Sequence, residues 1–434
     1  MEKDIERRSD QLEIIKTFGN YVEKWCENTP DRARWLLTKG WEAQDLKFRL
    51  APSKKINPSD QYLARMMMNV MLQPLKHPDQ SVLVSVFTPC ELMQEAGLYP
   101  YNVESFSCYL TASSAERAFL QSAEDSGLSE TLCSYHKTFI GAAEKGLLPK
   151  PKCIVYTNLA CDANLLTFQR LAEFFHVPVF SIDVPSGQTS ENVAYVAAQL
   201  RALRGFLEQT TGHQIDEGRL VQRVKRGYKT LQQFDAFQSA RADRFIPSDL
   251  VSPLYSGMTN NILLGTEEEA LYTEKLLQDV KKAPPKKGKH IYWMHTIPFW
   301  SDAVKDALLL NDDVQIVGCE LSQATDISRH SEDPYEEMAM RLIYHALNGP
   351  ISCRINAGIR HAKQAGADGV VWFNHWGCKH TLGGSRIAKK RFEEAGLPTL
   401  ILDGDGCDRS HGGEGQTSTR LGAFLEMLGD FAHE

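Results

Sequence analysis

Residues 153–182 read CIVYTNLACDANLLTFQRLAEFFHVPVFSI. Cys153–Thr157 and Val177–Ile182 are short β-like runs, and between them Leu165–Phe175 carries apolar residues at helical spacing. Strand, helix, strand predicts a parallel sheet, since parallel neighbours need a crossover connection. In such sheets binding groups gather just beyond the carboxyl ends of the strands, where loops and helix N-termini converge. Cys161 stands at one such end.

The same pattern extends in both directions. Upstream, the apolar run Ser81–Phe87 is followed by the turn Thr88-Pro89 and a helical stretch from Glu91 to Ala96 that Gly97 ends. Before it, residues 1–75 read as helices, with Ile14, Phe18, Tyr21, Val22 and Trp25 as an apolar stripe and Leu63 to Leu72 of the same type. Downstream, residues 188–264 are mostly helical, chiefly Val193–Leu207 and Glu217–Ala240, and return the chain to a second lobe. Lys281, Lys282, Lys286, Lys287 and Lys289 flank Pro284 and Pro285 and read as a solvated linker. After it the pattern restarts. His290–Met294, Val314–Gly318, Gly369–Phe373 and Thr399–Asp403 read as strands, with Ala303–Leu309, Tyr335–Ala346, Arg354–Ala365 and Arg386–Ala395 as helices between them.

The predicted fold is therefore α/β: two doubly wound, Rossmann-like parallel-sheet domains, at 76–265 and 266–434, after a helical N-terminal segment at 1–75. A short internal echo points to duplication. Ile154-Val155-Tyr156-Thr157-Asn158 precedes Cys161 much as Val370-Val371-Trp372-Phe373-Asn374 precedes Cys378.

A chain of 434 residues is too long for one ordinary core and suits two domains. Hydrophobic residues at 42% and charged residues at 24% are ordinary globular values, which excludes a disordered or fibrous chain. A formal charge of -7 argues against a nucleic-acid binder, which carries a basic surface. The charged stretch Met1 to Asp10 lacks the apolar core of a signal peptide, and nowhere do roughly 18 apolar residues run together. Cytoplasmic placement with no membrane contact is the expectation, and the ten cysteines are then thiols or metal ligands rather than disulfides.

Cys161 and Cys378 each follow a strand, one per lobe, and Cys133 precedes the helical run His136–Glu144. If the lobes face one another, three thiolates converge in the cleft between them. Such a set does not match structural zinc, which takes four ligands with paired C-x₂₋₄-C spacing. A cubane cluster accepts three cysteines and leaves one iron open. Free cysteines are also commonly buried as small hydrophobes, and spacing alone leaves that reading ahead. Cys153, inside a strand, and Cys26, on a helical face, fit the buried reading.

The stretches around these cysteines carry more. Thr88-Pro89-Cys90-Glu91-Leu92 with Ala96-Gly97-Leu98, Cys133-Ser134-Tyr135, Thr157-Asn158-Leu159-Ala160-Cys161-Asp162 and Trp376-Gly377-Cys378-Lys379 occur in order. They are followed by Gly396-Leu397-Pro398-Thr399-Leu400, running through Asp403, Asp405 and Asp408 to Gly415-Gln416 and Thr419-Arg420-Leu421. In these segments the chain resembles the 2-hydroxyacyl-CoA dehydratase and benzoyl-CoA reductase family over most of its length after about residue 80. The resemblance implies that Cys133, Cys161 and Cys378 match the three positions that ligate a 4Fe4S cluster in the interdomain cleft.

It also implies the chemistry. Removing water from a 2-hydroxyacyl thioester, or reducing an aromatic one, needs an electron at a potential ordinary donors do not reach. Relatives receive it from a separate ATP-hydrolysing iron-sulfur activator. In the dehydratases it makes a ketyl radical that expels hydroxide, with the thioester carbonyl held at the open iron. This chain has no G-x-x-x-x-G-K-[ST] phosphate loop, which assigns ATP hydrolysis to the partner. The family's electron-accepting components pair with a homologous second subunit or form homodimers, so the implied partners are an acyl-CoA substrate, the activator and a second related chain.

Other polar residues are candidates beside these. His295 follows the strand His290–Met294 and suits proton transfer, or a core or capping role. His375 and His380 flank Cys378 as hydrogen-bond donors to cluster sulfurs or as exposed side chains. Glu91 is a candidate general base or a charge on a helix dipole. Gly383-Gly384-Ser385 offers backbone amides to a CoA phosphate, or is a plain turn. Asp403, Asp405 and Asp408 form an acidic loop without other clustered oxygen ligands.

Cys90, Cys319 and Cys353 depart from what a dehydratase subunit needs. One family branch carries an 8Fe9S double-cubane cluster, which takes more ligands and reduces small molecules instead of dehydrating thioesters. If these cysteines line the cleft, that branch gains; if they lie in cores, the single cubane holds. A third alternative is a non-catalytic subunit whose cluster relays electrons to a partner.

Overall fold

The computed structural model describes residues 2–323 and 325–431, with side chains from residue 12 to residue 429 apart from position 324. The targeting reading of Met1 to Asp10 therefore falls outside the residues whose side chains are described.

Among the described residues eight strands build two separate four-stranded sheets, all parallel. They are β1 (Ser81–Val84), β2 (Tyr99–Asn102), β3 (Cys153–Thr157), β4 (Val179–Ile182), β5 (Lys289–Met294), β6 (Val314–Cys319), β7 (Gly369–His375) and β8 (Thr399–Gly404). The first sheet runs β2-β1-β3-β4 and the second β6-β5-β7-β8. Counted within each lobe, both orders are second, first, third, fourth. Cys161 and Cys378 thus follow equivalent strands, β3 and β7, which is the duplication that the sequence echo pointed to.

Both faces of each sheet are covered, which is why the strands read as nearly unbroken apolar runs rather than alternating ones. Alternate residues still sort by face. Leu83 and Ile154 join a core with Val22, Leu37 and Trp41 of the N-terminal helices Glu2–Asn28 and Pro30–Leu50, and with Met67 and Met71 of Pro58–Lys76. Val82, Val84 and Val155 face the other way, onto Val196 and Leu200 of helix Ser190–Thr211 and Met338 and Leu342 of helix Pro334–Ile343. In the second sheet Ile291 and Trp293 pack on Phe424 and Leu428, whereas Tyr292 and Met294 pack on Ile355 and Phe392.

Several elements differ from the sequence pattern. β2 was not predicted because Pro100 interrupts it; as the edge strand, paired only to β1, it tolerates a residue without an N–H. Of the first helical stripe, Val22 is buried, but Ile14 is 67% exposed and Tyr21 50%. Lys281 and Lys282 are not linker: they close helix Glu267–Lys282, where cations suit the negative end of the helix dipole. That helix, expected in the second domain, sends Tyr272, Leu276 and Val280 into the core of the first. Helix Pro334–Ile343 likewise crosses back to the first sheet. The lobes are therefore laced together on both sides of the first sheet. In β6 the pairing skips a residue, setting Gly318 opposite Tyr292, and a side chain there would meet the Tyr292 ring at 2.8 Å.

Candidate functional site

The site is assembled from three loops. Cys161 lies between β3 and helix Ala163–Phe175, after Ala160 in a left-handed conformation (φ 63°). The chain there is pinned by Asn158, whose amide donates to Asp183 at 2.8 Å, and by Asn164, which donates to the Thr157 carbonyl at 2.9 Å. Cys378 follows β7 and the left-handed Gly377 (φ 81°). Cys133 caps helix Ser134–Glu144. A side-chain carbon on Gly377 would lie 2.7 Å from the Cys133 nitrogen and 2.8 Å from its Cα, so the loop of the second lobe rests directly on the Cys133 backbone. Further bonds stitch the lobes at this point: Ser134 Oγ donates to Asp405 Oδ1 at 2.5 Å, and the Tyr135 and Thr296 hydroxyls lie 2.8 Å apart.

All three thiols are half-buried, and each faces an imidazole. Cys133 Sγ is 3.2 Å from His375 Nε2, Cys161 Sγ is 3.6 Å from His136 Nε2, and Cys378 Sγ is 3.6 Å from His295 Nε2. Burial pushes the Cys133 thiol well above its ordinary value, and the charges of Cys161, Cys378 and Asp405 push it further. Cys161 is pushed up to about 12, first by burial and then by Glu104 and Cys378. The three sulfurs are thus within electrostatic reach of one another. The imidazoles are shifted the opposite way by burial: His136 down to about 4, His295 well below its usual range and His375 below it.

Among the described residues no three His, Cys, Asp or Glu side chains sit close enough together to hold a single metal ion. Three cysteine thiols are nevertheless the donor type that iron-sulfur clusters take, one to each of three irons.

A buried ion pair supports the Cys378 side. Arg354 binds Glu320 through two bonds of 2.6 Å and reaches the His380 carbonyl at 2.7 Å, while its guanidinium stacks 4.6 Å from the Trp372 ring centre. Glu320 Oε2 also accepts the His295 N–H at 3.0 Å. His295, in a left-handed conformation (φ 75°), is thereby held by its backbone, and its Nδ1 has no partner among the described residues. Of the histidines named from the sequence, His295 lies beside Cys378 and His375 beside Cys133, while His380, half-buried, is tied to Arg354 through its carbonyl.

Other candidates lie elsewhere. Glu91 is fully buried in the first turn of its helix; its Oε1 bonds Arg341 of helix Pro334–Ile343, and its Oε2 has no partner among the described residues. Cys90 is buried and donates to the Thr88 carbonyl at 3.2 Å, and Cys319 is buried and donates to the His295 carbonyl at 3.3 Å. Cys353 is half-buried beside Gly349. Gly384 packs against Ile351, which a side chain would meet at 2.7 Å, and Ser385 bonds the Leu382 carbonyl, so close packing accounts for this turn. In the acidic loop Asp405 accepts the amides of Cys407 and Asp408, Asp408 caps Ser410, and Asp403 accepts from Asn374.

Sequence reasoning missed His136, Glu320, Arg354 and Glu104. His136 lies one helical turn after Cys133, a spacing that was a usable signal. Glu104 opens helix Val103–Ala112 just beyond β2; burial pushes its carboxyl up to about 7 and its Oε2 has no partner among the described residues.

Residues 85–428 match the family model described as 2-hydroxyglutaryl-CoA dehydratase, D-component. The chain belongs to that D-component family. All three cysteines and all three facing histidines lie within the matched span. The chain is 22% identical over 366 residues to the (R)-phenyllactyl-CoA dehydratase alpha subunit of Clostridium sporogenes, covering 78% of this chain and 87% of that one. It is 22% identical over 381 residues to the beta subunit of the same dehydratase, covering 82% and 94%. It is 24% identical over 299 residues to the alpha subunit of (R)-2-hydroxyglutaryl-CoA dehydratase from Acidaminococcus fermentans, covering 65% and 61%. The chain is thus similar to both kinds of subunit of one dehydratase. No helix among the described residues is long and apolar enough to cross a membrane.

Proposed function

We propose that this D-component family member is the iron-sulfur component of a 2-hydroxyacyl-CoA dehydratase, with Cys133, Cys161 and Cys378 as ligands of one 4Fe4S cluster. The supporting observation is that these three half-buried thiols, from two lobes, lie close enough for their charges to act on one another, with the Gly377 loop resting on the Cys133 backbone. When bound, the cluster supplies a low-potential electron and an iron position open to a thioester carbonyl.

The chain's own residues provide the setting. Its loops fix the three sulfurs, Gly377 lets the two lobes meet at Cys133, and partial burial limits the access of water to the ligands. Neutral imidazoles at His136, His295 and His375 add no charge beside the sulfurs. Glu104 and His295 are the groups proposed to take or give a proton, Glu104 because its carboxyl is pushed up to about 7 and His295 because its Nδ1 has no partner among the described residues. The reading includes an acyl-CoA substrate, an ATP-hydrolysing activator as electron source, and a homologous second subunit or second copy. The cytoplasm is the proposed compartment, and ten free cysteines agree with it.

Iron and sulfide analysis of anaerobically purified protein tests this. About four irons per chain are expected, against about eight for a double cubane. Iron well below that after reconstitution removes the reading.

A further inference from the structure

We infer that His375 is a positioning residue that donates a fixed hydrogen bond from Nε2 to the Cys133 sulfur and so raises the reduction potential of the iron-sulfur group held there. The inference rests on the ligand reading above, but its geometry stands without it.

The donor assignment follows from the backbone. The Gly406 amide lies 3.1 Å from His375 Nδ1, and an amide N–H only donates. Nδ1 must therefore present its lone pair, and the ring proton belongs to Nε2. Nε2 is 3.2 Å from Cys133 Sγ, against 3.6 Å for the other two cysteine–histidine pairs. Asp405 does not compete for Nδ1. It lies 3.8 Å away, and its Oδ1 is occupied by the Ser134 hydroxyl and by the amides of Cys407 and Asp408.

The ring cannot turn out of this bond easily. His375 is 1% exposed, with the Tyr135 ring centred 5.2 Å away and the His295 ring stacked at 5.9 Å. The other imidazoles lack such a lock. His136 Nδ1 meets the Thr167 hydroxyl, which can donate or accept, and His295 Nδ1 has no partner among the described residues. The locked bond also crosses the lobes, since His375 ends β7 and Cys133 belongs to the first lobe. A hydrogen bond to a ligand sulfur is strongest when that sulfur is most electron-rich, so it favours the reduced cluster.

Two measurements decide it. In apo-protein labelled with 15N-histidine, the His375 signals, assigned by their loss in His375→Gln, should show a bare Nδ1 and a protonated Nε2 whose proton signal moves in Cys133→Ala. A proton on Nδ1, or no response to Cys133→Ala, overturns the inference whether or not a cluster binds. In reconstituted protein, His375→Leu should shift the midpoint potential to more negative values, by about 59 mV for a tenfold change in a one-electron equilibrium. His375→Gln, which keeps an N–H donor, should recover much of that shift. An unchanged potential in His375→Leu, or equal shifts in both variants, overturns the tuning role. Failure of the unsubstituted protein to take up iron instead removes the ligand reading, and with it the tuning role, while the apo measurement still decides the bond.

Discussion

Arg354 and Glu320 form a two-bond ion pair, both contacts at 2.6 Å, with side chains only 2% and 5% exposed. Through it the loop after β6 holds the His295 amide, and the helix Ile351–Gln364 holds the His380 carbonyl two residues beyond Cys378. Removing one partner leaves a buried charge unpaired. Arg354→Met should therefore destabilise the chain by about 3–5 kcal/mol in chemical denaturation, and Arg354→Lys should recover only part, since an ammonium does not make the paired bonds. The double variant Glu320→Gln with Arg354→Met should be less destabilised than Arg354→Met alone. Equal losses in the two would refute the unpaired-charge account.

Gly377 gives a second test. Alanine there takes on the left-handed backbone cost, about 1–2 kcal/mol, and also collides with the Cys133 backbone. Gly396 has the same φ of 81° with nothing within 4 Å of the added carbon. Gly377→Ala should lose a further 1–3 kcal/mol, roughly, compared with Gly396→Ala, and should bind less iron. Matching stabilities would mean that the lobe contact at Cys133 yields freely.

These two sites also mark how far the sequence was legible. Periodicity and run length are local, so β3 was read residue for residue, and β5 to β8 to within two residues. β2 escaped because Pro100 argues against a strand unless the strand is known to lie at an edge, and edges are set by the whole sheet. Cys161 and Cys378 were placed at strand ends by the same local logic. The pairings across the site were not, because Cys133 and His375 are 242 positions apart and Glu320 and Arg354 are 34. Nothing in either stretch of sequence records the other. Helix Glu267–Lys282 was not read from the sequence, and its packing in the core of the first lobe depends on a chain reversal that is a tertiary event.

Glu269 predicts a pH dependence unconnected to the site. It is fully buried, one oxygen bonds the Thr259 hydroxyl at 3.1 Å, and burial pushes its carboxyl from 4.5 up to about 8. The folded state therefore holds this proton more tightly than the unfolded chain. Its stabilising contribution is complete below pH 4.5 and is lost as pH rises toward 8. Glu269→Gln, neutral throughout, should remove that slope and stand on the order of 1–3 kcal/mol above the parent at pH 8. Parallel stability profiles for the two proteins between those pH values would contradict the assignment.

Cys90 and Cys319 separate the single from the double cubane. Each thiol is buried in an apolar core and donates to a carbonyl, Thr88 at 3.2 Å and His295 at 3.3 Å, so each already has a structural role. Alanine at either position removes one sulfur and one weak hydrogen bond, an expected loss of about 1 kcal/mol. Iron content should stay at about four per chain in both variants. Cys378→Ser, whose half-buried thiol lies 3.6 Å from His295 Nε2, should keep the fold and lose most of the iron. A fall in iron for Cys90→Ala or Cys319→Ala, with circular dichroism and denaturation unchanged, would place that thiol on a metal and favour the larger cluster.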